Sequence, residues 1–280
     1  MTEAELVELI ANAVRSSLAE NSADKVEVLQ TSIPLPQTTK ATPAMPSVKE
    51  EPLPSAAPPT SARIAVGRAG ERLRTETYLQ FRADHAAAQD AVYNDVSQGL
   101  LQRMGMQEIP TLCRSRDEHL TRPDLGRDFS EESRRAVKEI NPVPCDVLVY
   151  AADGLSSRAV EANLENVYPV IADGVAQQGL SIGKPFFVKY GRVASMEPVA
   201  ELTGAKVVCV LIGERPGLGS AESMSAYLAY APTAGMPEAG RTVVSNIYSG
   251  GLNAVEGGAF IAELIGKIHA AKKSGVYLSE

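Results

Sequence analysis

The sequence predicts an α/β fold: a mostly parallel, Rossmann-like sheet flanked by helices, with a helical N-terminal part and a flexible N-terminal extension. Three observations carry that expectation. From residue 146 onward, short continuous apolar runs alternate with segments of helical period, the order of a sheet buried on both faces. Residues 31–60 hold 8 of the chain's 18 prolines among Ser, Thr, Ala, Lys and Glu, a composition that cannot bury a core. Ahead of them, residues 2–19 place Leu6, Leu9, Ile10, Ala13, Val14 and Leu18 at three- and four-residue spacing, the stripe of an amphipathic helix. The expected divisions are a helix over 1–19, a linker over 20–62, a mainly helical part over 63–145 and an α/β domain over 146–280.

The elements follow in order. Thr2 and Glu5 make a capping box for the first helix. A helix that short is marginal in water and needs a partner for its stripe. Residues 75–96, rich in alanine, read as a helix, and so does SEESRRAVKEI (130–140), with Ser130 as its cap. Between them DEHLTRPDLGRDF (117–129) reads as a polar loop, either a solvated face or an interface. The strands are expected over 146–153, 184–191, 205–213 and 242–251. Helices are expected over 156–179, 196–204, 220–231 and 254–273.

Composition narrows the function. The chain has 280 residues, 44% of them apolar, which suffices for a sizeable core. A net charge of −7 argues against a nucleic-acid surface. No apolar run is long enough for a bilayer, and the acidic start lacks the basic region of a secretory signal, so a cytoplasmic chain is expected. Cys113, Cys145 and Cys209 have no CxxC spacing, which suggests neither a zinc site nor a disulfide framework. Cys209, inside VVCVLI, reads as a buried small hydrophobe.

Ligands of an open α/β sheet bind beyond the carboxyl ends of its strands. Four such ends combine glycine with polar groups: ADGLSS (152–157), KYGRV (189–193), GERPGLG (213–219) and SNIYSGG (245–251). If the strands are adjacent, these loops converge on one crevice. A plain turn accounts for ADGLSS or SNIYSGG alone. GERPGLG is different, because Glu214 and Arg215 are costly to bury at a strand end unless something uses them. The loop lacks the Lys-Ser/Thr ending of a phosphate-binding P-loop and is not GxGxxG. No GxSxG or HExxH is present. Asp117-Glu118-His119 starts like the DxHxxG box of some cobalamin proteins, but Arg122 stands where the glycine belongs.

Several stretches together resemble one family. They are VGRAGERLRTETYLQFRADHAAAQDAV (66–92), LTRPDLGR (120–127), ADGLS (152–156), GKPFFVKYGRV (183–193), LIGERPGLGSAESMSAY (211–227) and RTVVSNIYSGGLNAVEGGAFIAEL (241–264). In this order they resemble the small (light) subunit of ethanolamine ammonia-lyase, the adenosylcobalamin-dependent enzyme that converts ethanolamine to acetaldehyde and ammonia. The resemblance implies a large TIM-barrel subunit that holds the substrate and the radical chemistry. It implies that this chain covers a base-on cobalamin, for which no DxHxxG histidine is needed. By the same resemblance Val193, Glu214 and Val243 are the cobalamin contacts, and a cysteine can stand at the third position in the family. No catalytic residue and no metal ligand is assigned to this chain. The resemblance also associates the N-terminal extension with a bacterial microcompartment, so residues 2–19 are expected to dock on a shell or cargo protein. Two other functions fit the residues. A free-standing nucleotide-binding enzyme would need a ribose-binding acid beyond a glycine fingerprint, which is not found. A non-catalytic microcompartment scaffold would bind partners through the helix and retain no cobalamin.

Overall fold

The structure, a computed structural model, describes residues 66–279. The helix expected over 2–19 and the linker expected over 20–62 lie outside the described residues. Strands β1 (Arg68–Ala69) and β2 (Arg72–Leu73) form a small antiparallel hairpin. Helix α1 (Thr75–Tyr93) follows, burying Ala88 and Ala91 while Tyr78, Leu79 and Phe81 stay exposed. Helix α2 (Gln98–Arg103) starts at the cap Ser97, and β3 (Gln107–Pro110) comes next. Helix α3 (Arg116–Thr121) is capped by Ser115, and α4 (Glu131–Ile140) by Ser130, as its sequence expects. The chain then runs through β4 (Val147–Ala152), α5 (Ser157–Gln177), β5 (Phe186–Lys189), α6 (Met196–Thr203) and β6 (Val207–Gly213). It ends with β7 (Met224–Tyr230), β8 (Thr242–Ile247) and α7 (Ala254–Ala271).

Six strands form one mixed sheet in the order β3-β5-β4-β6-β7-β8. The pairings from β3 to β6 are parallel, and β7 is antiparallel to both neighbours. β7 alone therefore runs against the other five strands. The expected α/β fold with a mostly parallel sheet flanked by helices is therefore found, but the sheet is mixed and its strand order is not the doubly wound one of a Rossmann-like fold.

The difference comes from residues 220–231, expected as a helix and found as β7. MSAYLAY alternates with period two. Met224, Ala226 and Leu228 enter one core layer, and Tyr227 and Ala229 enter the other. Pairing with β6 is continuous from Val207↔Tyr230 to Gly213↔Met224. That ladder and two-sided burial override the helix propensity of Ala and Met. The stretch expected as a polar loop over 117–129 instead opens with α3, whose Arg116 and His119 are buried.

Two core layers sandwich the sheet. The first holds Val160, Leu164, Val167 and Ile171 of α5 with Ile261, Ile265 and Ile268 of α7. In the second, Val137 of α4 and Met196 and Val199 of α6 pack on Leu148, Tyr150, Val208 and Val210. Cys209 is fully buried, and burial pushes its thiol pKa up. Over β8 the second face is open: Val243 is 46% exposed.

Candidate functional site

The carboxyl ends of β4, β5 and β6 are stitched into one platform. The Leu155 N–H donates to Gly213 O at 2.9 Å, and the Ser156 hydroxyl donates to Ala221 O at 2.7 Å. The Gly191 N–H donates to Asp153 Oδ1 at 3.1 Å. The first glycine of GERPGLG has a packing reason: a Cβ on Gly213 would lie 2.0 Å from Ser156 O and 2.6 Å from Asp153 O.

A buried polar cluster closes the ends of β4 and β5. Arg116 Nη1 lies 3.2 Å from Asp153 Oδ2, and its Nη2 lies 2.8 Å from Asp95 Oδ1. The Arg116 guanidinium sits 4.8 Å from the centre of the Tyr190 ring, which stacks on His119 at 5.7 Å. His119 is fully buried, with Nε2 2.6 Å from Gly154 O, so that nitrogen carries the proton and donates it. Burial pulls the His119 pKa down to about 4, with the Arg192 and Arg116 charges acting in the same direction. The imidazole is therefore neutral near pH 7. Its Nδ1 is buried and has no hydrogen-bond partner among the described residues. Burial pushes the Asp153 carboxyl up to about 7, against the pull of Arg116 and of the Gly191 N–H. These contacts hold the loop after β5, where Tyr190 has φ 59°, a left-handed conformation. They also hold Arg192, whose N–H donates to Gly126 O at 2.8 Å and whose Nη2 donates to His119 O.

The four strand-end loops do not share one crevice. β7 separates β6 from β8, and α3 covers the ends of β4 and β5. The tips of the 213–223 and 247–250 loops instead meet α1 and α5 around a cavity of about 360 Å³, lined by Asp84, Arg158, Ser220, Glu222 and Tyr248. Arg158 Nε and Glu222 Oε1 pair there at 2.9 Å.

Glu214 turns away from that cavity, toward the second face of the sheet. The Tyr227 hydroxyl donates to its Oε1 at 3.0 Å, and its own N–H donates to Ser223 O at 3.0 Å. Burial, with the Glu214 charge adding, pushes the Tyr227 pKa up to about 12. Tyr227 is directly opposite Val243 in the β7–β8 ladder, so both side chains leave the same face. Two of the three expected contacts, Glu214 and Val243, thus meet at Tyr227. Val193 begins the 3-10 turn Val193–Ser195 and packs on the second core layer, as Tyr227 does. Arg192 Nε and Ser225 Oγ are buried at this edge without a hydrogen-bond partner among the described residues. Among the described residues no helix is long and apolar enough to cross a membrane.

Comparison with known proteins decides the family. The family model described as ethanolamine ammonia-lyase light chain matches residues 50–279. The chain belongs to the ethanolamine ammonia-lyase light-chain family. Proteins described as ethanolamine ammonia-lyase small subunit are close to this light chain in sequence. One from Clostridium tetani is 55% identical over 219 residues, covering 78% of this chain and 74% of its own length. One from Clostridium perfringens is 53% identical over the same shares. One from Listeria monocytogenes is 51% identical, covering 78% of this chain and 75% of its own.

Tyr227, Asp153, Arg116, His119 and Arg192 have partners in this light chain that their own sequence motifs do not reveal. Tyr227 was hidden by the helical reading of its segment, although the alternation of MSAYLAY marks it as a strand residue. Asp153 and Arg192 stand in two of the singled-out loops, but their partners come from α3, far away in sequence.

Proposed function

We propose that this chain is the small subunit of an adenosylcobalamin-dependent ethanolamine ammonia-lyase, and that it forms part of the cobalamin site at the interface with a large TIM-barrel subunit. The observation that carries the reading is the convergence of Glu214 and Val243 on Tyr227, on the open face of the sheet. A corrin is a large, mostly apolar macrocycle edged with amide arms. Val243 and Val193 offer it apolar contact, and the Glu214 carboxylate accepts from an amide N–H. Arg192 Nε and Ser225 Oγ are buried donors beside this face that lack an acceptor among the described residues, and amide carbonyls are groups that could satisfy them. Val243 fits as a contact through its main chain or its methyl groups, without the thiol.

When bound, the cofactor supplies a cobalt–carbon bond whose homolysis starts the conversion of ethanolamine to acetaldehyde and ammonia. This chain's residues orient and shield it. Tyr227 holds Glu214 in place, while the Asp153–Arg116–His119 cluster fixes the loop that carries Val193. No proton transfer is assigned to this chain. The exposed Tyr78 (48%), Leu79 (61%) and Phe81 (37%) of α1 suit burial against the large subunit. Residues 2–19 would direct the assembly to a shell or cargo protein of a cytoplasmic microcompartment.

The test is co-expression of the full chain with its large subunit, followed by an assay of acetaldehyde formed from ethanolamine with added adenosylcobalamin. Turnover is expected only with both chains. A large subunit fully active alone, or no complex between the two, would refute the proposal.

A further inference from the structure

Most arginines around the stitched platform are matched to a carboxylate. Arg122 pairs with Asp124 at 2.7 Å, Arg134 with Asp128 at 2.5 Å and Arg241 with Glu197 at 2.6 Å. Arg127, Arg192 and Arg215 are not: none has a carboxylate partner among the described residues. All three are brought to one place. Arg192 is anchored to Gly126 O, so its backbone lies against the turn that carries Arg127. Arg215 follows Gly213 and Glu214 out of β6, whose end is bonded to the loop after β4. Asp153 in turn binds that loop to Gly191, next to Arg192. Burial lowers the Arg192 pKa, and the nearby charges of Arg127 and Arg215 lower it further.

A chain with a net charge of −7 has acids to spare, yet the two in closest sequence to Arg127, Asp124 and Asp128, are taken by Arg122 and Arg134. Glu214, next to Arg215, is taken by Tyr227. Three like charges held together, none paired with a carboxylate among the described residues and one with a buried unsatisfied Nε, suit an anion-binding group. Arg192 directly precedes Val193, and Arg215 directly follows Glu214.

We propose that Arg127, Arg192 and Arg215 form the subsite of this chain that recognises a phosphodiester, the anionic group of the cobalamin nucleotide loop. The inference rests on the cobalamin reading above and adds to it which end of the cofactor faces this edge. The corrin amides are neutral, and the phosphodiester is the one permanent anion the cofactor carries. Guanidiniums match its oxygens in geometry as lysines do not.

The test compares two corrinoids by equilibrium binding to the complex of the full chain with the large subunit, followed by absorbance. Cyanocobalamin contains the phosphodiester, and dicyanocobinamide lacks the nucleotide loop. Arg127→Gln/Arg215→Gln removes two exposed charges that make no internal ion pair, so assembly and urea midpoint stay as in the wild type. Each lost charge-assisted contact is expected to cost roughly tenfold in affinity, so cyanocobalamin weakens about a hundredfold. Dicyanocobinamide binding stays unchanged, and Arg127→Lys/Arg215→Lys recovers part of the loss. Equal weakening of both corrinoids, or of neither, overturns the subsite. A wild-type complex that binds neither corrinoid overturns the cobalamin reading itself, which is a different result.

Discussion

Replacing Asp153 by asparagine should change how stability depends on pH, and the buried cluster sets both sign and size. In the folded chain Asp153 holds its proton up to about 7, whereas an unfolded aspartate loses it near its ordinary value of 3.8. Folding then takes up a proton between those limits, so this group's contribution falls as pH rises. His119 acts oppositely. Its folded pKa of about 4 lies below the ordinary histidine value of 6.5, so folding releases a proton in that window. Its contribution rises as pH rises from 4 to 6.5 and is lost as pH falls. In the wild type the two slopes, each about 1.4 kcal/mol per pH unit, oppose one another and nearly cancel. Asp153→Asn leaves the histidine slope alone. The stability difference between variant and wild type should therefore move by about 3 kcal/mol in the variant's favour between pH 4 and pH 6.5. Urea unfolding of the full chain at half-unit pH steps measures it, and other groups cancel in the difference. A difference that is constant with pH would mean that Asp153 stays ionised against Arg116 throughout, and would refute the reasoning.

Two further outcomes follow from the platform and from the open face. Gly213→Ala should cost about 3 kcal/mol in urea unfolding, because the added methyl meets the main-chain oxygens of Ser156 and Asp153 and no side chain can yield. An unchanged midpoint would show that the β4 and β6 ends separate easily. Tyr227→Phe removes the hydroxyl that holds Glu214, a hydrogen bond to a charged acceptor worth about 1 kcal/mol at this half-buried position. Cyanocobalamin affinity of the complex should fall about fivefold while the assembly persists; unchanged affinity would detach Glu214 from the site.

Much of the fold was legible because its signals are local. The continuous apolar runs of β4 and β6 and the capped period of α4 appear within ten residues of sequence. The end of the sheet was not, for a physical reason. MSAYLAY has alanine and methionine, which suit a helix, and only its pairing with β6 and β8 makes it a strand. The strand ends were correctly singled out by their glycines, but their closure was not visible. What covers β4 and β5 is α3, and its buried arginine and histidine look like surface residues until Asp153 and Gly154 are known to lie opposite. Val193, Glu214 and Val243 came from a likeness to a family, not from their own chemistry. Valine on a strand carries no sign of a ligand.

The reversed strand explains why those residues lie where they do. Had residues 220–231 been a helix, they would have supplied a cover for one face of the sheet, as α5 and α6 do for their strands. As β7 they extend the sheet instead. α5 and α7 cover the first face, while Val243 on the second remains half exposed. The turn into β7 must reverse the chain at the carboxyl edge, which brings Glu214 back to Tyr227 rather than out along a crossover. A free-standing nucleotide-binding sheet would place its ligand between parallel strands at the edge. Here that position is filled by Arg116, His119 and Asp153, and the accessible surface is a broad, half-apolar face around Val243 and Glu214. A surface of that shape suits a wide, flat ligand held against a second protein.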